Sequence, residues 1–112
     1  MTFTERELVE TVGAITLRQL RLWVRRGWVV PAQGENGPVF DEADVARARL
    51  VWQLRCDMNV NDDAVPVVLA LIDQLHGIRQ ELKAVLGAIG DQPGDIRQRI
   101  RSAYRARGSA PE

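Results

Sequence analysis

The second half of the chain carries an apolar repeat in which spacings of three and four residues alternate without interruption. The repeat consists of Val68, Leu71, Leu75, Ile78, Leu82, Val85 and Ile89. This spacing puts all of these side chains on one stripe of an α-helix. Because an apolar stripe of that length is stable in water only when another surface covers it, the repeat predicts a long helix with a packing partner.

The covering surface could be the rest of the same chain or a second copy, and the pattern allows both. Val85 lies about 25 Å along the helix axis from Val68, at about 1.5 Å per residue. Residues 1–58 form too small a body to cover all of that length. We therefore expect a homodimer whose seam is this repeat.

The first half of the chain repeats one helix-start pattern three times. Thr4 precedes Glu7, and Thr16 precedes Gln19, at the three-residue spacing of a capping box. Asp41 stands at the third start, and apolar residues flank all three starts as in a hydrophobic staple. In each case a side-chain oxygen is expected to accept a hydrogen bond from an otherwise unpaired amide.

These starts predict helices over about residues 5–12, 17–26 and 42–57. Only Gly13, Ala14 and Ile15 separate the first helix from the cap of the second. A connection this short, containing glycine, is typical of a helix-turn-helix.

Two short apolar runs, Trp28–Pro31 and Val39–Phe40, flank a turn-rich segment between the second and third helices. They predict a small β-hairpin, or wing. In the third helix, Trp52 is expected to lie in the core. The predicted fold is therefore all-α with a small β-hairpin wing, in which a winged helix-turn-helix head precedes a long dimerisation helix.

The predicted organisation has three parts: the head over 1–58, the long helix over 59–90 and an Arg-rich tail over 91–112. Asn61 or Asp63 is expected to cap the long helix, and Gly90 to end it. The tail fits either a short helix with one apolar face or a disordered segment. One hypothesis is that the tail binds nucleic acid through its five arginines, Arg97, Arg99, Arg101, Arg105 and Arg107.

The composition argues against catalysis. Cys56 and His76 are the one cysteine and the one histidine, and no metal-ligand cluster, phosphate-binding loop or catalytic triad is visible. We therefore expect no enzyme activity, cofactor or bound metal. No apolar run is long enough to span a bilayer and no signal peptide is recognisable, so the expected location is the cytoplasm, without membrane contact.

The charge is balanced overall but unevenly distributed. Fifteen basic and 15 acidic residues give a formal net charge of zero, which disfavours a protein held to nucleic acid mainly through phosphates. Residues 57–95 carry two basic and seven acidic groups, whereas residues 96–112 carry five arginines and one glutamate. The middle of the chain is acidic and its end is basic.

The segment Ile15–Pro31, with the sequence ITLRQLRLWVRRGWVVP, resembles the recognition helix of the MerR family. The resemblance implies that this helix lies in the major groove of DNA, that the wing contacts phosphates and that a long antiparallel helix pairs two subunits. The alternative DNA-binding residues are then Arg18, Arg21 and Arg25, although a solvated helix face would carry the same arginines.

The chain departs from that family in the wing. No Lys or Arg occurs from Ala32 to Ala46, so the basic residue that usually stands beside the wing aromatic is missing. Phe40 retains the aromatic packing position. DNA binding therefore remains possible but is not favoured.

The segments Asn59–Leu75 and Ile78–Leu82 are similar to the CbpM group of chaperone modulators, a MerR-like branch. The similarity covers roughly residues 2–90. It implies a homodimer that binds the J-domain of a CbpA- or DnaJ-like co-chaperone and inhibits its stimulation of DnaK.

Such a partner presents a basic helix, which acidic side chains would complement. The candidates for J-domain binding are Asp57, Asp62, Asp63 and Asp73. For Asp62 and Asp63 the sequence also allows a purely structural role, because carboxylates near a helix N-terminus stabilise it without any partner.

Overall fold

A computed structural model describes residues 1–108 as two compact units, one formed by Met1–Ala70 and the other beginning at Leu71. The elements of the first unit are α1 (Glu5–Val12), α2 (Leu17–Arg25), β1 (Ala32–Gly34), β2 (Gly37–Val39), α3 (Glu42–Trp52) and a π-helical turn (Gln53–Asp57). Helix α4 (Val65–Gly90) begins in the first unit, and α5 (Gly94–Gly108) lies in the second. The mostly helical fold with a two-stranded hairpin confirms the predicted fold class.

The three predicted helix starts are all present, and each is a complete capping box. At α2, the Gln19 amide donates to Thr16 Oγ1 over 3.1 Å, and the Thr16 amide donates to Gln19 Oε1 over 2.9 Å. The Asp41 start, predicted only from its apolar flanks, makes the same reciprocal pair with Asp44, at 2.8 and 2.9 Å. These caps satisfy amides that have no partner within the helix.

The core of the first unit forms where the inner faces of α1, α2 and α3 meet the start of α4. Leu8, Leu20, Val51 and Val65 are fully buried there. Phe40 seals the core beneath the hairpin, and its backbone pairs with that of Phe3 in an isolated antiparallel bridge. These buried side chains belong to one contiguous hydrophobic cluster.

The hairpin differs from its predicted position. β1 and all of β2 except Val39 lie inside the segment predicted as turn, with Ala32 opposite Val39 and Gly34 opposite Gly37, and only Glu35 and Asn36 connect the strands. The preceding apolar run is not a strand: the Trp28 amide donates to the Trp23 carbonyl at the end of α2 over 2.9 Å, and Trp28 and Val29 are buried in the core. The local apolar pattern assigned Trp28 and Val29 to the wing, but tertiary packing overrides that preference and places them in the core.

The helical stretch that begins at Glu42 extends to Asp57 as predicted, but its last turn is π-helical. The Met58 amide donates to the Gln53 carbonyl over 2.8 Å and closes this wider turn. Trp52 was expected in the core and is only partly buried at its edge, whereas Val51 and Leu54 are buried. The π-helical turn begins directly after Trp52. Because a π-turn holds more residues than an α-turn, the side chains that follow Trp52 point in other directions than a continuous α-helix would give them.

Helix α4 follows a short turn in which the Ala64 amide donates to Asn61 Oδ1 over 2.9 Å. Asn61 therefore takes the capping role that the sequence left open between it and Asp63. Pro66 occupies the first turn, where its missing amide costs least, and the helix ends at Gly90 as expected. The tail is helical over Gly94–Gly108, while residues 109–112 lie outside the described part of the chain.

Candidate functional site

The arginines considered for DNA contact lie on the outer face of α2. Leu20 and Trp23 anchor the inner face of the helix in the core, so Arg18, Arg21 and Arg25 point outward and are exposed. The amphipathic pattern of the helix thus separates its packing residues from its charged residues.

Arg21 is already engaged by the chain itself. Its Nε lies 2.9 Å from Glu5 Oε2 and its Nη2 lies 3.3 Å from Glu5 Oε1, a two-point ion pair between α2 and α1. The hydrogen bond to Glu5, followed by the charge of that carboxylate, raises the pKa of Arg21. This pair neutralises one of the three charges that a phosphate would meet, which leaves Arg18 and Arg25 as the cations of that face.

An apolar groove of about 640 Å³ runs between α2 and the hairpin. Its apolar lining comes from Leu17 and Val24 of α2 and from Pro38 and Phe40 at the end of the hairpin. Glu5 and the three arginines of α2 complete the lining. The hairpin thus offers apolar side chains beside the helix and no cation.

A second candidate surface is the loop from Asp57 to Asp63, which joins the π-helical turn to α4. Asp62 is held at both carboxylate oxygens: Arg55 Nε lies 2.8 Å from Oδ1, and Arg26 Nη1 lies 2.8 Å from Oδ2. Arg55 also donates to the Val60 carbonyl over 2.6 Å. The guanidinium of Arg26 lies over the Trp28 ring, 5.1 Å from its centroid. Two arginines from separate elements therefore fix the Asp57–Asp63 loop.

The backbone of this loop is fixed as well. The Val60 amide donates to the Leu54 carbonyl over 2.7 Å, beside the π-helical closure at Met58. Asn59 adopts a φ of 55°, in the left-handed region that asparagine tolerates better than most residues. The backbone hydrogen bonds at Met58 and Val60, with the two arginines on Asp62, therefore indicate that the Asp57–Asp63 loop is pre-organised.

The structure separates the four acidic candidates into different roles. Asp62 is committed to its two arginines, and the hydrogen bond from Arg26 lowers the pKa of its carboxyl group. Asp57 and Asp63 stand exposed at the two ends of the loop, and Asp73 is exposed on α4 in the second unit. The Asp57–Asp63 loop thus contains three of the four acidic candidates. The carboxylates of Asp57 and Asp63 face solvent.

Sequence reasoning missed Met58, whose surface is 65% exposed next to Asp57. A single exposed methionine is not itself a sign of an interface, but its flexible apolar side chain is available to a protein partner that docks on the Asp57–Asp63 loop. Local pattern could have flagged it only as an apolar residue among Asp and Asn. Arg55 was missed as well, and Arg26, which the sequence offers beside Arg18, Arg21 and Arg25 as a possible DNA contact, instead binds Asp62. Both roles depend on contacts across the fold.

The predicted seam is mostly uncovered in the single chain. Five side chains of the seam on α4 are between 52% and 62% exposed, namely Leu71, Leu75, Ile78, Leu82 and Val85. Val68, the first member of the seam, packs partly against the core of the first unit, and Ile89, the last, is partly buried.

Other chemistry in residues 1–108 is sparse. Cys56 and His76 are exposed, and within this range no three potential ligands come together as a metal site. Across the same range, none of the helices combines the length and the apolar character that crossing a bilayer requires.

Comparison with known protein families gives a match for the first unit. Residues 3–63 match the MerR HTH family regulatory proteins, a span that contains the capped helices, the hairpin and the Asp57–Asp63 loop. No curated protein and no solved structure matches the chain. With more than half of its length matched by the family, the chain belongs to the MerR HTH family of regulatory proteins.

Proposed function

We propose that this protein is a homodimeric chaperone modulator of the CbpM type. It binds the J-domain of a CbpA- or DnaJ-like co-chaperone and prevents that domain from stimulating DnaK. The observation that carries the proposal is the fixed Asp57–Asp63 loop, in which exposed Met58 stands between the exposed carboxylates of Asp57 and Asp63.

The chemistry of this loop suits a cationic helix. Carboxylates at its two ends attract the helix and select for its charge, which mainly raises the association rate. Met58 supplies the apolar contact from which most of the affinity has to come. Because the loop is already ordered, binding would incur little conformational entropy loss.

Asp62 has a different role in this proposal from the one the sequence suggested. Its carboxylate is neutralised by Arg26 and Arg55, so it positions the loop and leaves partner contact to its neighbours. Asp73 remains a candidate contact on α4.

Dimerisation through the exposed stripe of α4 is part of the same proposal. Five side chains of the stripe are more than half exposed, as are Val67 and Leu86 on the same helix. So many exposed large apolar groups on one helix are unusual for a protein that stays monomeric. A second copy presenting the same stripe would cover them by knobs-into-holes packing.

Isothermal titration of a J-domain fragment into the full chain tests the docking surface. Reversing the charge of Asp57 and Asp63 together (Asp57→Lys/Asp63→Lys) should weaken binding about tenfold or more, since close charge pairs at interfaces are worth about 1.5 kcal/mol or more each. Met58→Ala should weaken binding by a similar factor.

The matched control is Glu10→Lys/Glu35→Lys, which makes the same change in net charge at exposed positions elsewhere in the first unit. It should leave the affinity nearly unchanged. Equal losses in the two double variants would mean that only net charge matters, and undiminished binding by Asp57→Lys/Asp63→Lys would refute the assignment of this loop.

A DNA-binding regulator is the second candidate, favoured by the family and by the exposed Arg18 and Arg25 on α2. If this function is correct, a gel-shift titration with candidate promoter DNA should show affinity that falls steeply with salt. Arg18→Ala/Arg25→Ala should reduce the salt slope by about two. The paired Arg21 and the cation-free hairpin support the chaperone modulator over this alternative.

A further inference from the structure

Helix α5 carries a row of arginines along one side. Arg97, Arg101 and Arg105 stand four residues apart, and together with Gln98 and Ser102 they line a polar groove of about 270 Å³ on the helix surface. Successive arginines are separated by about 6 Å along the axis, at about 1.5 Å per residue. The row therefore presents evenly spaced guanidinium groups, with an amide and a hydroxyl group beside them.

The net charge of α5 is strongly positive. The helix holds five arginines and a single acidic residue, Asp95, which pairs with Arg99 at 3.6 Å. Arg97 and Arg101 lie on the groove side, whereas Arg99 and Arg107 stand off the row. The whole chain has a net charge of zero, which argues against phosphate binding by its surface at large, but this local excess of arginines complements a polyanion with regularly repeated charges.

Two kinds of polyanion could bind such a helix: the phosphate backbone of a nucleic acid and the surface of an anionic lipid bilayer. Interfacial helices bury a broad apolar face of large side chains. In α5 only Ile96, Ile100 and Tyr104 are large and apolar, and Tyr104 is 78% exposed. The donors of the polar groove suit phosphate oxygens, which both surfaces carry, but α5 lacks the broad apolar face that a bilayer requires, so a nucleic acid backbone fits it better.

We propose that the α5 arginine row, Arg97, Arg101 and Arg105, binds the phosphate backbone of nucleic acid without reading its sequence. The row lies outside the matched family region, residues 3–63, and acts independently of the proposed J-domain contact. Side-chain contacts to phosphates fix position and supply affinity, while sequence is read by contacts to base edges. The binding should accordingly be insensitive to base composition.

Fluorescence anisotropy with the full chain and a labelled 20-base-pair DNA duplex of arbitrary sequence tests the proposal. Arg97→Gln/Arg101→Gln should reduce the slope of log affinity against log salt by about two. The affinity itself should fall about tenfold or more at low salt. Glutamine has nearly the helix propensity of arginine, so circular dichroism should show an unchanged helix content.

The control is Arg99→Gln/Arg107→Gln, which removes the same charge from the same helix but off the row. It should lower affinity several-fold less than Arg97→Gln/Arg101→Gln. Equal losses from the two variants would overturn the assignment of the row, as would a loss of duplex binding caused by Arg18→Ala/Arg25→Ala alone.

A second arm uses vesicles containing anionic phospholipid in place of DNA. Weak vesicle binding that is unaffected by Arg97→Gln/Arg101→Gln is the expected result. Binding to these vesicles together with failure to bind the duplex would refute the nucleic acid proposal. The J-domain titration of Arg97→Gln/Arg101→Gln should match that of the unmodified chain, which separates this proposal from the proposed function.

Discussion

At the scale of single residues, one carboxylate determines the shape of the acidic surface. Asp62 receives guanidinium groups from Arg26, just after α2, and from Arg55, in the π-helical turn. Arg55 contributes a second contact, to the Val60 carbonyl. A lysine could not replace it, because a single ammonium group lacks the planar fork that spans both acceptors. The loop conformation therefore depends on these three charged side chains.

Replacing the carboxylate of Asp62 should destabilise the first unit in a pH-dependent way. The pKa of Asp62 is lower in the folded chain than in the unfolded chain, chiefly because Arg26 donates to it. Its contribution to stability should be fully present above the unfolded pKa and disappear as the pH falls through the folded pKa. Thermal unfolding at several pH values should show Asp62→Asn melting below the unmodified chain at neutral pH.

That difference in melting temperature should shrink once the medium is acidic enough to protonate Asp62 in the folded chain. Asp57→Asn is the matched control, since Asp57 is an exposed carboxylate of the same loop at a helix C-terminus, where a negative charge contributes no stability. A melting difference for Asp62→Asn that stayed constant down to strongly acidic pH would contradict the ion-pair explanation.

At the scale of elements, helix starts and the apolar stripe were predictable from sequence, whereas the hairpin position was not. The Thr16–Gln19 cap depends on residues three apart, so local sequence contains all the information needed. Trp28 and Val29 look like a strand locally, but the core buries them. The contacts of Arg55 with Asp62 and of Arg21 with Glu5 join separate elements, and only the assembled fold determines them.

The capping box of α2 offers a test at this scale. Thr16→Ala removes the side-chain oxygen that accepts from the Gln19 amide, and should lower the free energy of unfolding by about 1 kcal/mol. Urea denaturation followed by circular dichroism measures this loss. Thr16→Ser keeps the hydroxyl group and should lose much less, so a serine variant as unstable as the alanine variant would argue against the cap.

At the scale of the whole molecule, the exposed stripe of α4 links stability to association. A small chain buries a smaller fraction of its surface than a large one, so burying additional apolar surface in an oligomer stabilises it. If the stripe is a dimer seam, the dimer places two copies of the Asp57–Asp63 loop and of the α5 arginine row in one particle. Two linked sites can engage a partner that carries repeated contacts more tightly than either site alone.

Sedimentation equilibrium should therefore give twice the 12.6 kDa chain mass. Leu75→Asp/Leu82→Asp places two carboxylates in the seam and should give monomers. Gln80→Asp/Ala84→Asp adds the same charge at exposed positions of α4 outside the repeat, and should leave the dimer intact. Dimers that survive the change at Leu75 and Leu82 would show that association uses another surface.

The most direct test of the proposed function is single-turnover ATP hydrolysis by DnaK, stimulated by a CbpA- or DnaJ-like co-chaperone, with increasing amounts of this protein. We predict that the rate falls to that of DnaK alone once the protein saturates the J-domain, and that Asp57→Lys/Asp63→Lys requires about tenfold more protein for the same inhibition. A stimulated rate that remains unchanged at a large excess of the unmodified protein would contradict the proposed function.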